Sequence, residues 1–209
     1  MFMRNYLKEG YDIISIHLSD AISGTFNTAT LAASEFSNVT TINSKTTSRG
    51  MVYLIKECFE QISQGKTLKE IIEILNNKTS KILTYVTIDN LNNLVKGGRL
   101  KKTSGLIGNL LNIKILTKLE GKELVAVDKV RCKKKLINAL IEKLIADSEN
   151  KIKNIHLAHA LSDEYLALIK EAVLNRLNYN IDDKNIVVTS PIISTHTGEG
   201  AVGILVELE

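Results

Sequence analysis

The chain has 209 residues, 44% apolar and 24% charged, with a formal charge of +4. That suffices for one large domain or two small ones with a substantial core, in an ordinary soluble composition. No Trp and 5% aromatics exclude the aromatic-plus-basic platform of nucleic-acid binders, and no apolar run reaches the ~18–20 residues of a membrane span.

Met1 to Gly10 reads as the tail of a helix, without the basic-then-apolar layout of a signal peptide. Asp12 to Ser19 (DIISIHLS) predicts a buried strand, and a helix runs from Ser23-Gly24-Thr25 to about Phe36. Val39 to Ile42 is a short strand. Gly50 to Gln64 and Leu68 to Asn77 are helices, the second with Leu68, Ile71, Ile72 and Leu75 at helical spacing. This order is the α/β signature, with a mostly parallel sheet.

The second half reads as α+β with antiparallel pairing. Ile82 to Ile88 is a strand, and a short helix, Asn90 to Val95, stops at Gly97-Gly98. Leu106 to Leu111 has helical character. Ile113 to Leu119 and Leu124 to Val130 flank a turn at Glu120-Gly121-Lys122. Leu136 to Ser148 and Asp163 to Leu177 are helices. Ile152 to Ala158, Ile186 to Ile193 and Ala201 to Leu208 are strands. The division falls near residues 79–84, giving 1–82 and 83–209.

Two segments have the chemistry of an anion site. Ser19-Asp20-Ala21-Ile22-Ser23-Gly24-Thr25 lies between a strand and a helix, where an open α/β sheet binds ligands and a helix start offers free N–H groups. An ordinary N-cap has the same residues. Thr195-His196-Thr197-Gly198-Glu199-Gly200 reads as a polar turn between two strands, with a histidine able to carry charge near neutral pH. A hairpin turn with a solvated histidine has that pattern too.

Other features fit no catalytic motif. Lys96-Gly97-Gly98-Arg99 suits an anion loop or a helix cap followed by a basic turn, and it lacks phosphate-loop spacing. Lys129-Val130-Arg131-Cys132-Lys133-Lys134-Lys135 suits a partner's acidic or phosphate-bearing surface, or a solvated turn. His17, His156 and His159 read as packed or edge residues. Cys58 and Cys132 are far from each other and from any histidine in sequence, which argues against a metal site or disulfide framework and fits a reducing cytoplasm.

Taken in order, five motifs resemble the DegV family of bacterial fatty-acid-binding proteins. They are Ser19-x-x-x-Ser23-Gly24-Thr25, Leu94-x-x-Gly97-Gly98-Arg99-Leu100, Gly108-x-Leu110-Leu111-Asn112-Ile113-Lys114, Lys129-Val130-Arg131, and Thr195-His196-Thr197-Gly198-x-Gly200-Ala201-x-Gly203. The resemblance implies two domains: an N-terminal α/β domain with a parallel sheet, incomplete here, and a C-terminal α+β domain with a mostly antiparallel sheet. It implies a long-chain fatty acid in an apolar tunnel, its carboxylate near Ser23 and His196. Ser19, Gly24, Thr25, Thr195 and Gly198 would support those loops. It further implies a fatty acid kinase partner, for which cation density makes Arg99, Arg131 and Lys134 docking candidates, and no catalytic residue, metal or cofactor in the chain itself. The alternatives are a small-molecule kinase or hydrolase using Ser23, His196 and Asp20, or a fragment without function.

The chain departs from the family pattern in three ways. It starts late, so the pattern expects an upstream part supplying strands to the first sheet and one tunnel wall. Asp20 stands where relatives often have a second Ser. Asn43 replaces the Asp of an Asp-Ser pair, and Glu199 a frequent Pro.

Overall fold

A computed structural model describes residues 2–99, 113–149 and 151–209. It contains two sheets. β1 (Ile13–His17) and β2 (Val39–Asn43) pair in parallel, joined by α2 (Thr25–Ala33). Six further strands pair in the order β5-β4-β3-β8-β6-β7: β3 (Ile82–Ile88), β4 (Lys114–Glu120), β5 (Glu123–Val130), β6 (Ile152–His159), β7 (Ile186–Val188) and β8 (Val202–Leu208). Every pairing in this larger sheet is antiparallel except β6 with β7. The architecture is thus the expected one, a small parallel sheet and a larger, mostly antiparallel one. The expected helix at 106–111 and most of the Gly108–Lys114 motif lie outside the described residues.

The helices are α1 (Phe2–Lys8), α3 (Gly50–Ser63), α4 (Leu68–Thr79), α5 (Asn92–Lys96), α6 (Lys133–Ser148), α7 (Asp163–Leu177) and α8 (Pro191–Thr197). α4 starts at a capping box: Thr67 Oγ1 accepts from the Glu70 N–H, and the Glu70 carboxylate accepts from the Thr67 N–H. β4 and β5 join through Gly121-Lys122, and Gly121 takes a φ of 59°, the left-handed geometry a two-residue hairpin needs at its first central residue. α2 ends at Ala33, earlier than the expected Phe36.

Strand alternation gives the large sheet two different faces. Tyr85, Leu116, Ile155, Leu157, Val202, Ile204 and Val206 meet α6 and α7 in the main core. There α6 contributes Leu136, Ile137, Leu140, Ile141 and Leu144, a helical stripe, each side chain adding roughly 1.5–3 kcal/mol on burial. The opposite face turns toward α3, α4 and the small sheet. Ile82, Ala158 and Leu205 pack there with Ile42, Tyr53, Leu54, Ile71 and Leu75. The proposed division between residues 82 and 83 falls one residue into β3, and apolar packing is continuous across it.

On that second face, cross-strand neighbours form rows. Val86, Gly203 and Ala158 make one, Thr84, Leu205 and His156 the next, and Ile82, Glu207 and Asn154 the third. The first row is small-sided in its middle and on β6, which leaves a trough. The third is closed by a buried ion network: Lys78 bonds Glu57 at 2.7 Å and Glu207 at 2.5 Å, and Asn154 bonds Glu207 at 2.6 Å. Removing one member of such a buried group costs about 3–5 kcal/mol.

One expected element is corrected. Residues 191–193 continue no strand; they open α8, a two-turn helix with Pro191 at its start. His196 therefore projects from a helix, where a turn was expected. Proline is pre-organised for the first helical position, and Gly198, with a φ of 80°, ends the helix in a geometry that favours glycine.

Candidate functional site

The trough is closed over by α8, the 18–23 loop and the 47–48 segment into a cavity of about 160 Å³. A volume of that order holds roughly a benzene-sized apolar guest, equivalent to several methylenes. Its walls are mostly aliphatic: Leu18, Ile22, Val86, Leu94, Leu119, Leu124, Ala158, Ile193, Ala201 and Leu205. Among these stand a few polar side chains, including Ser23, Thr47, Ser48, Thr189, His196, Thr197 and Arg99. An apolar enclosure with a few convergent donors is the usual form of a site for an amphipathic small molecule.

Ser23 and His196, separated by 173 positions, thus line one cavity. Arg99 ties the Ser23 loop to the end of α5, which packs against His196. Its Nε donates to the Ile22 carbonyl at 3.3 Å, and its Nη1 donates to the Gly97 carbonyl. Two of the five guanidinium donors are committed this way. Gly97 in turn lies under the His196 ring: a Cβ at residue 97 would stand 2.6 Å from His196 Nδ1. Gly97 has an ordinary helical φ, so its glycine serves this close approach, a role its sequence reading as a cap did not include.

Ser23 Oγ accepts from the Thr25 N–H at 3.2 Å and shares a 2.7 Å hydrogen bond with Thr25 Oγ1. It precedes Gly24, the cap of α2, so the hydroxyl is held by the first turn of that helix. Ser19 is fully buried and shapes the loop from within: its Oγ accepts from the Ala21 N–H, and its own N–H donates to the Thr46 carbonyl.

Two expected site residues are placed elsewhere. Thr195 is exposed and its hydroxyl donates back to the Pro191 carbonyl at 2.8 Å. The α8 residues that line the cavity are 192, 193, 196 and 197, the i, i+1, i+4, i+5 pattern of one helix face, and Thr195 is off that face. Thr197 takes the place expected for Thr195. Arg99, grouped by charge with the docking candidates, belongs to the cavity wall. Gly198 is buried, and its N–H donates to the Ser194 carbonyl at 2.8 Å.

Asp20 does not line the cavity. Its carboxylate accepts from Asn43 Nδ2 at 2.7 Å, while Asn43 Oδ1 accepts from the Lys45 N–H at 3.0 Å. Two of the departures from the family pattern, Asp20 and Asn43, are therefore hydrogen-bonded to each other.

Arg131 and Lys134 are exposed where β5 turns into α6. The registers place this turn on the same sheet edge as α8, because the ends of β3, β5 and β6 and the starts of β4 and β8 coincide there. Lys133 pairs with Glu164 and lies 5.1 Å over the Tyr165 ring, and Tyr165 donates to Asp89. The other histidines are packed as expected. His156 stacks on Tyr53 at 4.7 Å, His17 bonds Ser15 at 2.8 Å, and His159 Nδ1 accepts from the Ser162 N–H. Among the described residues there is no group of His, Cys, Asp and Glu suited to a metal, and no helix is long and apolar enough to cross a membrane.

The family model described as "Uncharacterised protein, DegV family" matches residues 1–209. The chain belongs to the DegV family. It is 43% identical over 203 residues to the DegV domain-containing protein SAR1438 of Staphylococcus aureus, covering 95% of this chain and 71% of that protein. Its structure is similar to that of the fatty acid binding DegV family protein SAG1342 of Streptococcus agalactiae, with a TM-score of 0.89 and 26% identity, over 100% of this chain and 74% of that one. It also shares the fold of the Streptococcus pneumoniae Fatty Acid Kinase (Fak) B3 protein, solved loaded with linoleic acid, at a TM-score of 0.81 and 23% identity, over 99% and 76%. DegV proteins of this kind are binding proteins, which agrees with a site built of donors and apolar walls.

Proposed function

We propose that this chain is a cytoplasmic carrier that binds a long-chain fatty acid. Its first methylenes lie in the trough over Val86, Gly203 and Ala158, and its carboxylate is held by Ser23, His196 and Arg99. The observation that carries this reading is the single cavity in which an aliphatic trough meets a hydroxyl, an imidazole and a guanidinium. At roughly 0.8 kcal/mol per buried methylene, a long acyl chain supplies most of the affinity, and the donors fix its direction. The naming of SAG1342 and of Fak B3 supports the same ligand class.

The carrier presents its carboxylate to a fatty acid kinase, and Arg131 and Lys134 contribute to docking it. Cations at that edge act on association rate and its salt dependence more than on lipid affinity.

Native mass spectrometry of the purified protein should show a co-purifying fatty acid. Ser23→Ala and His196→Ala should each weaken binding by about 1.5–3 kcal/mol, the contribution of a hydrogen bond to a charged group, or roughly 10- to 150-fold. Parent-like binding by both variants would remove the head-group assignment.

A further inference from the structure

One row along the sheet from the lipid trough lies a second cavity, of about 420 Å³, between α3, β6 and β8 and the turn at 182–185. Leu205 faces the first cavity and its cross-strand neighbour His156 faces the second. The second cavity is polar. His156 is only 3% exposed, yet its Nδ1 has no hydrogen-bond partner, and beside it the buried Nε of Arg49 is unpartnered as well. A buried polar atom left without a partner costs about 1–3 kcal/mol, so such atoms mark places where a ligand or water completes the structure.

The charges around the cavity are ordered by depth. At the floor, Glu57 and Glu207 share Lys78, and their side chains are 16%, 6% and 11% exposed. Both carboxyls are held below their ordinary range by the Lys78 ammonium, and that ammonium is held above its own by the two carboxylates, though burial opposes each shift. All three are charged near neutral pH, so the floor carries one excess negative charge. At the rim stand the exposed Lys56 and Glu60, the mutually paired Asp182 and Lys184, and Lys153, 55% exposed and 3.7 Å from Glu207, which together leave one excess positive charge. A ligand with a single charge is drawn by one level and repelled by the other.

We propose that this cavity is a second ligand site that takes a small zwitterion of the amino-acid type, its ammonium toward Glu57, Glu207 and His156 and its carboxylate toward Lys56 and Lys153. The ammonium supplies the proton that His156 Nδ1 accepts, since a neutral imidazole offers one acceptor nitrogen. Burial and the Arg49 and Lys56 charges hold the imidazole pKa down, which keeps it neutral. The site rests on different residues from the head-group cavity.

The test is calorimetric titration of the whole chain with glycine, L-serine, L-glutamine, L-glutamate and L-lysine, alongside their N-acetyl and amide derivatives. At least one free amino acid should bind at a single site, and its N-acetyl and amide forms should bind about tenfold or more weakly, as each removes one charge-assisted contact. His156→Phe, which keeps the ring stacked on Tyr53, and Lys153→Ala, at the exposed rim, should each weaken amino-acid binding to a similar degree. At pH 7.5 both should reach at least the parental thermal midpoint and keep parent-like oleate binding. The proposal is overturned if no amino acid binds, if a singly charged derivative binds equally well, or if neither variant changes the titration. Those results leave the lipid assignment standing, because that depends on Ser23 and His196.

Discussion

Gly203 offers a direct handle on the lipid trough. It sits on β8 between Val86 and Ala158, and a Cβ added there would meet the Ala158 carbonyl oxygen at 3.5 Å, Leu205 Cδ2 at 3.8 Å and Ala158 Cβ at 4.0 Å. These are ordinary van der Waals distances, and Gly203 is not among the residues with positive φ. Replacement by a larger residue therefore leaves the strand intact, and relief of the glycine's entropy cost favours it by roughly 0.5–1 kcal/mol. The side chain of Gly203→Leu enters the cavity and takes the place of about three to four methylenes, worth ~2.4–3.2 kcal/mol at ~0.8 kcal/mol each. Long-chain fatty-acid affinity should fall roughly 50- to 200-fold. Preference for long over short chains should shrink, because the carboxylate contacts remain. Binding of palmitate and octanoate by titration calorimetry, with thermal unfolding as the control, reads all three effects. A variant that unfolds like the parent and binds palmitate with parental affinity would refute the trough as the lipid path.

Two further outcomes follow from the same geometry. Gly97→Ala puts a methyl group 2.6 Å from His196 Nδ1 and 3.0 Å from the Asn93 carbonyl oxygen, so the imidazole must move and the last turn of α5 must give by a few tenths of an ångström; fatty-acid affinity should drop about as far as for His196→Ala. Burial lowers the His156 pKa, aided by Arg49 and Lys56, so the folded chain resists a proton that the unfolded chain accepts near pH 6.5. That contribution to stability is present above the unfolded value and is lost as the pH falls below it. The thermal midpoint should decline from pH 7.5 to 5.5, and decline less in His156→Phe; equal declines would exclude His156 as the source.

The strands of the large sheet are legible in sequence because alternation and turn chemistry agree: Gly121-Lys122 between two β-branched runs admits little but a hairpin. α8 was not legible as a helix, because Ile192, Ile193, Thr195 and Thr197 are weak helix formers in a two-turn segment. The signal that could have found it is the pairing of Pro191 at the start with Gly198 past the end. On a turn, Thr195 and Thr197 are equivalent neighbours of His196, whereas a helix rotates Thr195 away. Ser23 and His196 were legible as donors, but the part played by Arg99 was not, because its contacts are backbone carbonyls of Ile22 and Gly97 that no spacing reveals.

Asp20 and Asn43 show how a residue that should harm the site is made harmless. A carboxylate in the loop carrying Ser23 would oppose an anionic head group, and Asn43 restrains it with a 2.7 Å hydrogen bond. The amide suits this place on both sides: its oxygen takes the Lys45 N–H and its nitrogen supplies Asp20. Asn43→Asp keeps the first contact and converts the second into two carboxylates in contact, which cannot both stay charged and close. At neutral pH the variant should lose about 1–3 kcal/mol, the cost of an unsatisfied partly buried group, and its fatty-acid affinity should fall as Asp20 is released. The deficit should shrink as the pH drops toward about 4, where the pair takes up a proton that the folded state now favours. Asp20→Ser in the same chain should restore binding at neutral pH, because the hydroxyl can donate to the new carboxylate. A double variant no better than Asn43→Asp alone would show that the two residues are not coupled, and that Asp20 is kept from the ligand by the loop backbone.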